Sequence, residues 1–314
     1  LVFLRLLQGL SFGAELPGAI TVVCEYAEKQ KQSTYSGFVI SSVSLGSSLA
    51  SFVLFLLTNQ AGNEAIASWA WRLPFFLGGT LALANFFIRK HLHETPEFSN
   101  LQSKRERVSV KEPFLCLIRD YRKELFLGIG VTGFMASMVI FALYMPTYIS
   151  TYFSYPTADV YFAMMWGLLW SVVVLPCSGW VVDRVGRAKV FVTTCLIFAF
   201  LAIPLFSLLK LGGLAVLIIF MMLYQTVLSF IMTSYFALLA ETFPTPVRYT
   251  GIALCYNVAY SLMGCAPMVI TGLIEWTHFP SLGVWFLIGF ALLSARNVTL
   301  LTKRRSQIAG GFSS

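Results

Sequence analysis

The sequence predicts an all-α protein embedded in a membrane, and three observations carry that expectation. Of 314 residues, 57% are hydrophobic and only 11% are charged, whereas soluble domains carry about 25% charged residues. The apolar residues come as uncharged runs of roughly 20, the length that crosses about 30 Å of hydrocarbon. The basic residues cluster in the short stretches between those runs, the pattern that orients membrane helices. Barrel strands would be about half as long and would alternate.

Nine spans are expected, at 1–23, 36–58, 70–88, 125–149, 160–182, 190–209, 213–236, 251–274 and 282–301. Only helices satisfy their own backbone in lipid, so spans joined this closely form a helical bundle. The first span carries Gly9 and Gly13, and the second carries Ser41, Ser44, Ser48 and Ser51 along one side. Small residues at such spacing let helices approach closely. Pro17, Pro146, Pro176, Pro204 and Pro267 sit inside spans, where neighbouring helices can meet the backbone groups that proline frees. The third span opens at Trp71-Arg72-Leu73-Pro74, and a polar stretch rich in both charge signs follows it. Residues 1–90 therefore read as one partial bundle, 91–123 as a linker, 124–302 as a six-helix bundle and 303–314 as a tail.

Eighteen of the 22 Lys and Arg residues fall on one side of this arrangement. Arg72 and Lys210 lie on the other side, and Arg5 and Arg296 lie within spans. The bias makes the basic side cytoplasmic, placing linker and C-terminus inside a multi-pass inner-membrane protein. The net charge of +8 does not point to nucleic acid, because no basic face interleaved with aromatics accompanies it. The six cysteines lie mostly inside apolar runs without C-x-x-C spacing and read as reduced, buried thiols. His91 and His93 are a weak metal signal with no further ligand nearby. No metal site, catalytic cluster or cofactor is expected, and an embedded enzyme would need clustered His, Asp, Glu or Cys at a membrane face.

The loop after the fifth span reads Gly179-Trp-Val-Val-Asp183-Arg184-Val-Gly186-Arg187-Ala-Lys189. It resembles the G-x-x-x-D-R-x-G-R-x-K signature of the major facilitator superfamily. Gly179 allows close helix approach, Gly186 allows a tight turn, and the charged pair can lock neighbouring helix ends. Further stretches resemble the metabolite:proton symporter branch, which includes proline/betaine, α-ketoglutarate, shikimate and citrate porters. Arg5-Leu-Leu-Gln8-Gly9-Leu-Ser-Phe-Gly13-Ala-Glu15 is similar to that branch's fourth helix, and Trp71-Arg72-Leu-Pro74-Phe75 with Gly78 to the start of its sixth. Glu94-Thr95-Pro96-Glu97-Phe98 is similar to the segment after it, and Glu241-Thr-Phe243-Pro244 through Gly251, with Tyr256-Asn257 and Ala266-Pro267, to the junction of helices ten and eleven. The chain departs from the branch at Met263, where a second glycine is usual, and at Gln32-Ser33, where Arg-Gly is usual.

The resemblance implies a major facilitator fold with nine of twelve helices present, three preceding Leu1. It implies alternating access, a small organic acid or zwitterion as solute, and a proton gradient as driving force. Within spans, Arg5, Gln8 and Glu15 share one helix face. Intramembrane charge is costly, so each needs a partner or a function. Arg5 is expected to face a helix-one carboxylate, and Glu15 to carry a proton or make a structural hydrogen bond. Tyr144, Gln225, Asn257 and Tyr260 line the solute pathway or bond helix to helix. Glu25, Glu241 and Arg248 are expected cytoplasmic locks, since each Glu ends a helix and a basic residue and a Ser/Thr-Gly pair follow. The protein is expected to be monomeric in the bilayer. With three helices of the first bundle missing by this count, the chain alone is expected not to catalyse coupled uptake, and the rival expectation is a non-transporting remnant.

Overall fold

The computed structural model describes residues 16–20, 22–23, 26–28, 30–60, 65–66, 68–91 and 111–310. Among them every regular element is helical. The long helices are α1 (Gln32–Gln60), α2 (Leu73–His91), α3 (Lys111–Asp120), α4 (Arg122–Phe153) and α5 (Thr157–Val185), followed by α6 (Arg187–Ser207), α7 (Leu214–Thr242), α8 (Thr245–Met263), α9 (Ala266–Thr277) and α10 (Leu282–Gly310). Seven spans among the described residues are long and apolar enough to cross a membrane, with α8 and α9 together forming one. Each covers one expected span to within a residue. The expected first span falls largely outside the described residues. The expected third forms α2, which is not among the seven, since Asn85, Arg89 and Lys90 dilute its apolar run.

Local chemistry sets where the helices stop. Ser154 closes α4 in the left-handed conformation at φ 58° and His278 closes α9 at φ 56°, the common end of a helix. Gly212 (φ 74°) and Gly213 (φ 90°) turn the chain between α6 and α7, angles that cost a side chain about 1 kcal/mol or more. The break between α8 and α9 falls at Gly264 and Cys265. Pro267 enters at the first turn of α9, where its missing N–H is no loss.

The core lies inside the bundle of α4 to α10. Phe206 meets Phe141, Phe220 and Tyr224 with ring centroids 5.8, 5.0 and 6.5 Å away. Polar groups at this depth bond across helices, as burial without a partner is costly. Tyr224 donates to the Met138 carbonyl at 2.7 Å, and Thr132 and Tyr235 share a 2.9 Å bond. Ser294 of α10 donates to the Gly130 carbonyl at 2.7 Å and accepts from the Phe134 amide at 3.1 Å. The expected linker contains α3, which inserts the fully buried Leu117 into the core while Phe114, Leu115 and Ile118 stay exposed. On its polar side Arg119 donates to Asp120 at 2.9 Å, which holds the Asp120 carboxyl below the usual carboxylate range.

α1 packs antiparallel along the whole of α5. The seam advances seven residues at a time. Ser41 donates to the Val172 carbonyl at 3.1 Å, Ser48 to the Met165 carbonyl at 3.1 Å, and Phe55 meets Phe162 at 5.0 Å. A Cβ on Gly37 would lie 2.6 Å from the Leu175 carbonyl oxygen, so the two backbones are nearly in contact there. This is small-residue packing, which gains dispersion and short polar contacts where lipid offers no hydrophobic drive. Ser51 is buried and Ser44 half-buried on the same side.

Candidate functional site: a latch between two bundles

The seam ends in the loop that resembles the family signature. Gly179 sits where α5 crosses the start of α1, and a Cβ there would lie 2.7 Å from Ser33 C and Thr34 Cα. That contact brings the end of α5 within reach of the first turn of α1. Asp183 then caps α1 from outside its own chain segment. Its carboxylate accepts the Ser33 amide at 3.0 Å, the Thr34 amide at 2.9 Å and the Thr34 hydroxyl at 2.8 Å. A helix N-terminus leaves its first amides without intrahelical partners and carries partial positive charge. A negative side chain from another helix meets both needs.

The remaining signature residues shape the turn into α6 and its contact with α7. Gly186 ends α5 at φ 106°, and its amide bonds back to Val182 at 3.0 Å. The turn lets α6 begin one residue later, at Arg187. The Arg187 side chain, 9% exposed, forms an ion pair with Glu241 near the end of α7. Its guanidinium also lies 3.5 Å from the Ala237 carbonyl, a favourable place for a cation at a helix C-terminus. Arg184 lies over the Trp180 ring at 3.8 Å, a cation–π contact one helical turn away. Lys189 is exposed.

The described residues among the other expected sites make contacts of their own. Glu241 pairs with Arg187, and Arg248 donates to the Phe243 carbonyl at 3.3 Å. Tyr144 shares a 2.7 Å bond with Thr271, Asn257 donates to Ala253 on its own helix at 2.8 Å, and Tyr260 stacks on Tyr256 at 4.2 Å. Gln225 is half-buried on α7. Arg5, Gln8, Glu15 and Glu25 lie outside the described residues, as does His93. The sequence reading missed the Glu124–Arg304 pair at 3.1 Å, which joins the start of α4 to α10. Its only signal was one acidic residue in the first turn of a span and a basic cluster after the last. Among the described residues no group of three His, Cys, Asp or Glu side chains is placed to hold a metal.

Apolar spans packed together, with a carboxylate of one capping the end of another, describe a class of multi-pass membrane protein, and the sequence comparison names the family. Residues 1–268 match the Major Facilitator Superfamily, and the chain belongs to it. It is 29% identical over 311 residues to a putative proline/betaine transporter of Staphylococcus aureus (strain COL), covering 96% of this chain and 65% of that protein. It is likewise 29% identical to the glycine betaine/proline/ectoine/pipecolic acid transporter OusA of Dickeya dadantii, covering 93% and 60%. To the inner membrane metabolite transport protein YhjE of Escherichia coli K12 it is 30% identical, covering 85% and 61%. The chain thus spans about two-thirds or less of the length of these relatives, all of which are named as transport proteins rather than enzymes.

Proposed function

We propose that the protein is a secondary transporter that takes up a small organic acid or zwitterion with a proton by alternating access. The observation that carries this reading is the Asp183 carboxylate on the first turn of α1. It joins the two bundles by contacts that can be made and broken without unfolding either helix. In the described geometry the latch is made, so this end of the bundle interface is closed. Separating the bundles here would expose the first amides of α1 to water, which can replace the carboxylate. The two states then differ by only a few hydrogen bonds, a gap that a solute and a proton can reverse. Charge bias supports an inner-membrane location with this latch and the C-terminus on the cytoplasmic side.

The relatives carry names that mention proline, betaine, ectoine and pipecolic acid, all zwitterions at neutral pH, and this favours a zwitterionic solute here. Arg5, Gln8 and Glu15 are assigned to the solute and proton pathway of the first bundle, with Glu15 as proton carrier. Tyr144, Gln225, Asn257 and Tyr260 are assigned to its second wall. Glu25, Glu241 and Arg248 reinforce the cytoplasmic closure, and the protein works as a monomer without a cofactor.

Cells expressing the gene should accumulate one or more of labelled proline, glycine betaine, α-ketoglutarate, citrate or shikimate, and a protonophore should abolish the accumulation. Uptake equal to that of control cells for every solute would remove the transport reading, and protonophore-insensitive uptake would remove proton coupling. An impermeant thiol reagent should fail to reach a cysteine placed at Arg305 in intact cells; labelling there would reverse the orientation.

A further inference from the structure

At the end of the bundle remote from the latch, α4 presents Tyr144, Tyr148 and Tyr152 one helical turn apart. Their ring centroids are 6.0 and 5.3 Å from one to the next. The middle ring is fully buried and fixed by its 2.8 Å bond to the Pro280 carbonyl. Tyr144 and Tyr152 are half-buried. Tyr144 is held by Thr271 of α9 at 2.7 Å, which fixes the register of the two helices. One turn beyond Thr271, on the same side of α9, stands the exposed carboxylate of Glu275. Beside the tyrosines on α4, Thr147 and Thr151 are exposed.

We propose that Tyr144, Tyr152 and Glu275 form a receiving site for the ammonium end of a zwitterionic solute, at the opposite mouth of the bundle from the latch. Aromatic faces attract a cation through their quadrupole, and a carboxylate adds the counter-charge that such a group needs when it leaves water. Asp159 and Glu275 stand at the near ends of α5 and α9, and by the topology above Arg72 and Lys210 are also assigned to this end. An ammonium held here leaves the solute's own carboxylate directed away from Glu275 and toward the interior, where a cationic partner suits it. The site rests on the transport reading for its purpose, and its chemistry can be tested apart from transport.

The test is calorimetric titration of the 314-residue chain in lipid nanodiscs. Glycine betaine and tetramethylammonium should both bind, and Glu275→Gln should weaken each about tenfold. Tyr152→Leu should do the same, while Tyr152→Phe, which keeps the aromatic face, should stay within about twofold. The uncharged-head isostere 3,3-dimethylbutyrate should bind more weakly than glycine betaine and ignore Glu275→Gln. Tetramethylammonium binding that is absent, or unchanged in both Glu275→Gln and Tyr152→Leu, overturns the proposal, as does equal binding of the isostere. If the cation binds with this dependence while cells take up no solute, the transport reading fails and the site stands. If cells take up betaine with the same half-saturation in Glu275→Gln, the site fails and transport stands.

Discussion

Asp183→Asn removes a full negative charge from the first turn of α1 while keeping nearly the same shape. Asp183 accepts two backbone amides and one hydroxyl. Asparagine offers a single acceptor oxygen, so at least one of these groups loses its partner. The helix-end charge interaction is worth about 1 kcal/mol at a half-buried site, and weakening charge-assisted bonds to neutral ones costs roughly another 1 kcal/mol. A loss of about 2 kcal/mol in the closed state raises the open population about 30-fold. Asp183→Ala, which leaves all three groups unpartnered by the side chain, should cost about 3 kcal/mol and raise it on the order of 150-fold. The Ser33 and Thr34 amides exchange with solvent only when the latch opens, so their hydrogen-exchange rates report this population. Both substitutions should accelerate them in the order Ala, then Asn, with exchange in the core of α7 unchanged. Acceleration below about threefold in both would refute the assignment of Asp183 as the cap that closes the interface.

Three further outcomes follow from the same contacts. Gly179→Ala places a methyl against backbone atoms of Ser33 and Thr34 that cannot rotate away. It should cost the closed seam about 1 to 3 kcal/mol, whereas Gly46→Ala, with open space around it, should leave latch exchange unchanged. Arg187→Ala removes the ion pair with Glu241 and the guanidinium beside the Ala237 carbonyl; solute uptake by the expressed gene should fall at equal abundance, and wild-type uptake would discount the residue. Glu124→Gln breaks the bond to Arg304, whose side chain is 35% exposed. It should lower thermal stability by about 1 kcal/mol or less without moving the exchange of Ser33 or Thr34.

The spans were readable because the bilayer fixes both length and polarity: every one of the seven apolar spans covers its expected run to within a residue. The signature loop was readable for a related reason, since Gly179, Asp183, Gly186 and Arg187 each meet a local demand of close approach, charge or turn. Their partners were not readable. The amides that Asp183 accepts belong to Ser33 and Thr34, about 150 positions away in the chain, and nothing in a Ser-Thr pair announces a helix end waiting for an external cap. Glu241 was expected among the locks, but its pairing with Arg187 was not, because the start of α6 and the end of α7 meet only in space. Polar residues within spans were the hardest to assign. Tyr144 and Asn257 look alike in sequence, but one bonds across to α9 and the other to its own helix. The α3 helix was hidden by its charge, since its packing rests on Leu117 and the half-buried Cys116 beside it.

In the proposed transport cycle the two bundles separate and rejoin at the Asp183 latch as solute is carried. Pulsed electron-resonance distances between labels introduced at the exposed positions Lys31 and Arg184, through non-natural amino acids, test it directly. The account predicts a short distance for the latched state, a second and longer population that grows in Asp183→Asn, and a change in their ratio when a transported solute is added. One unchanging distance under all three conditions would contradict it.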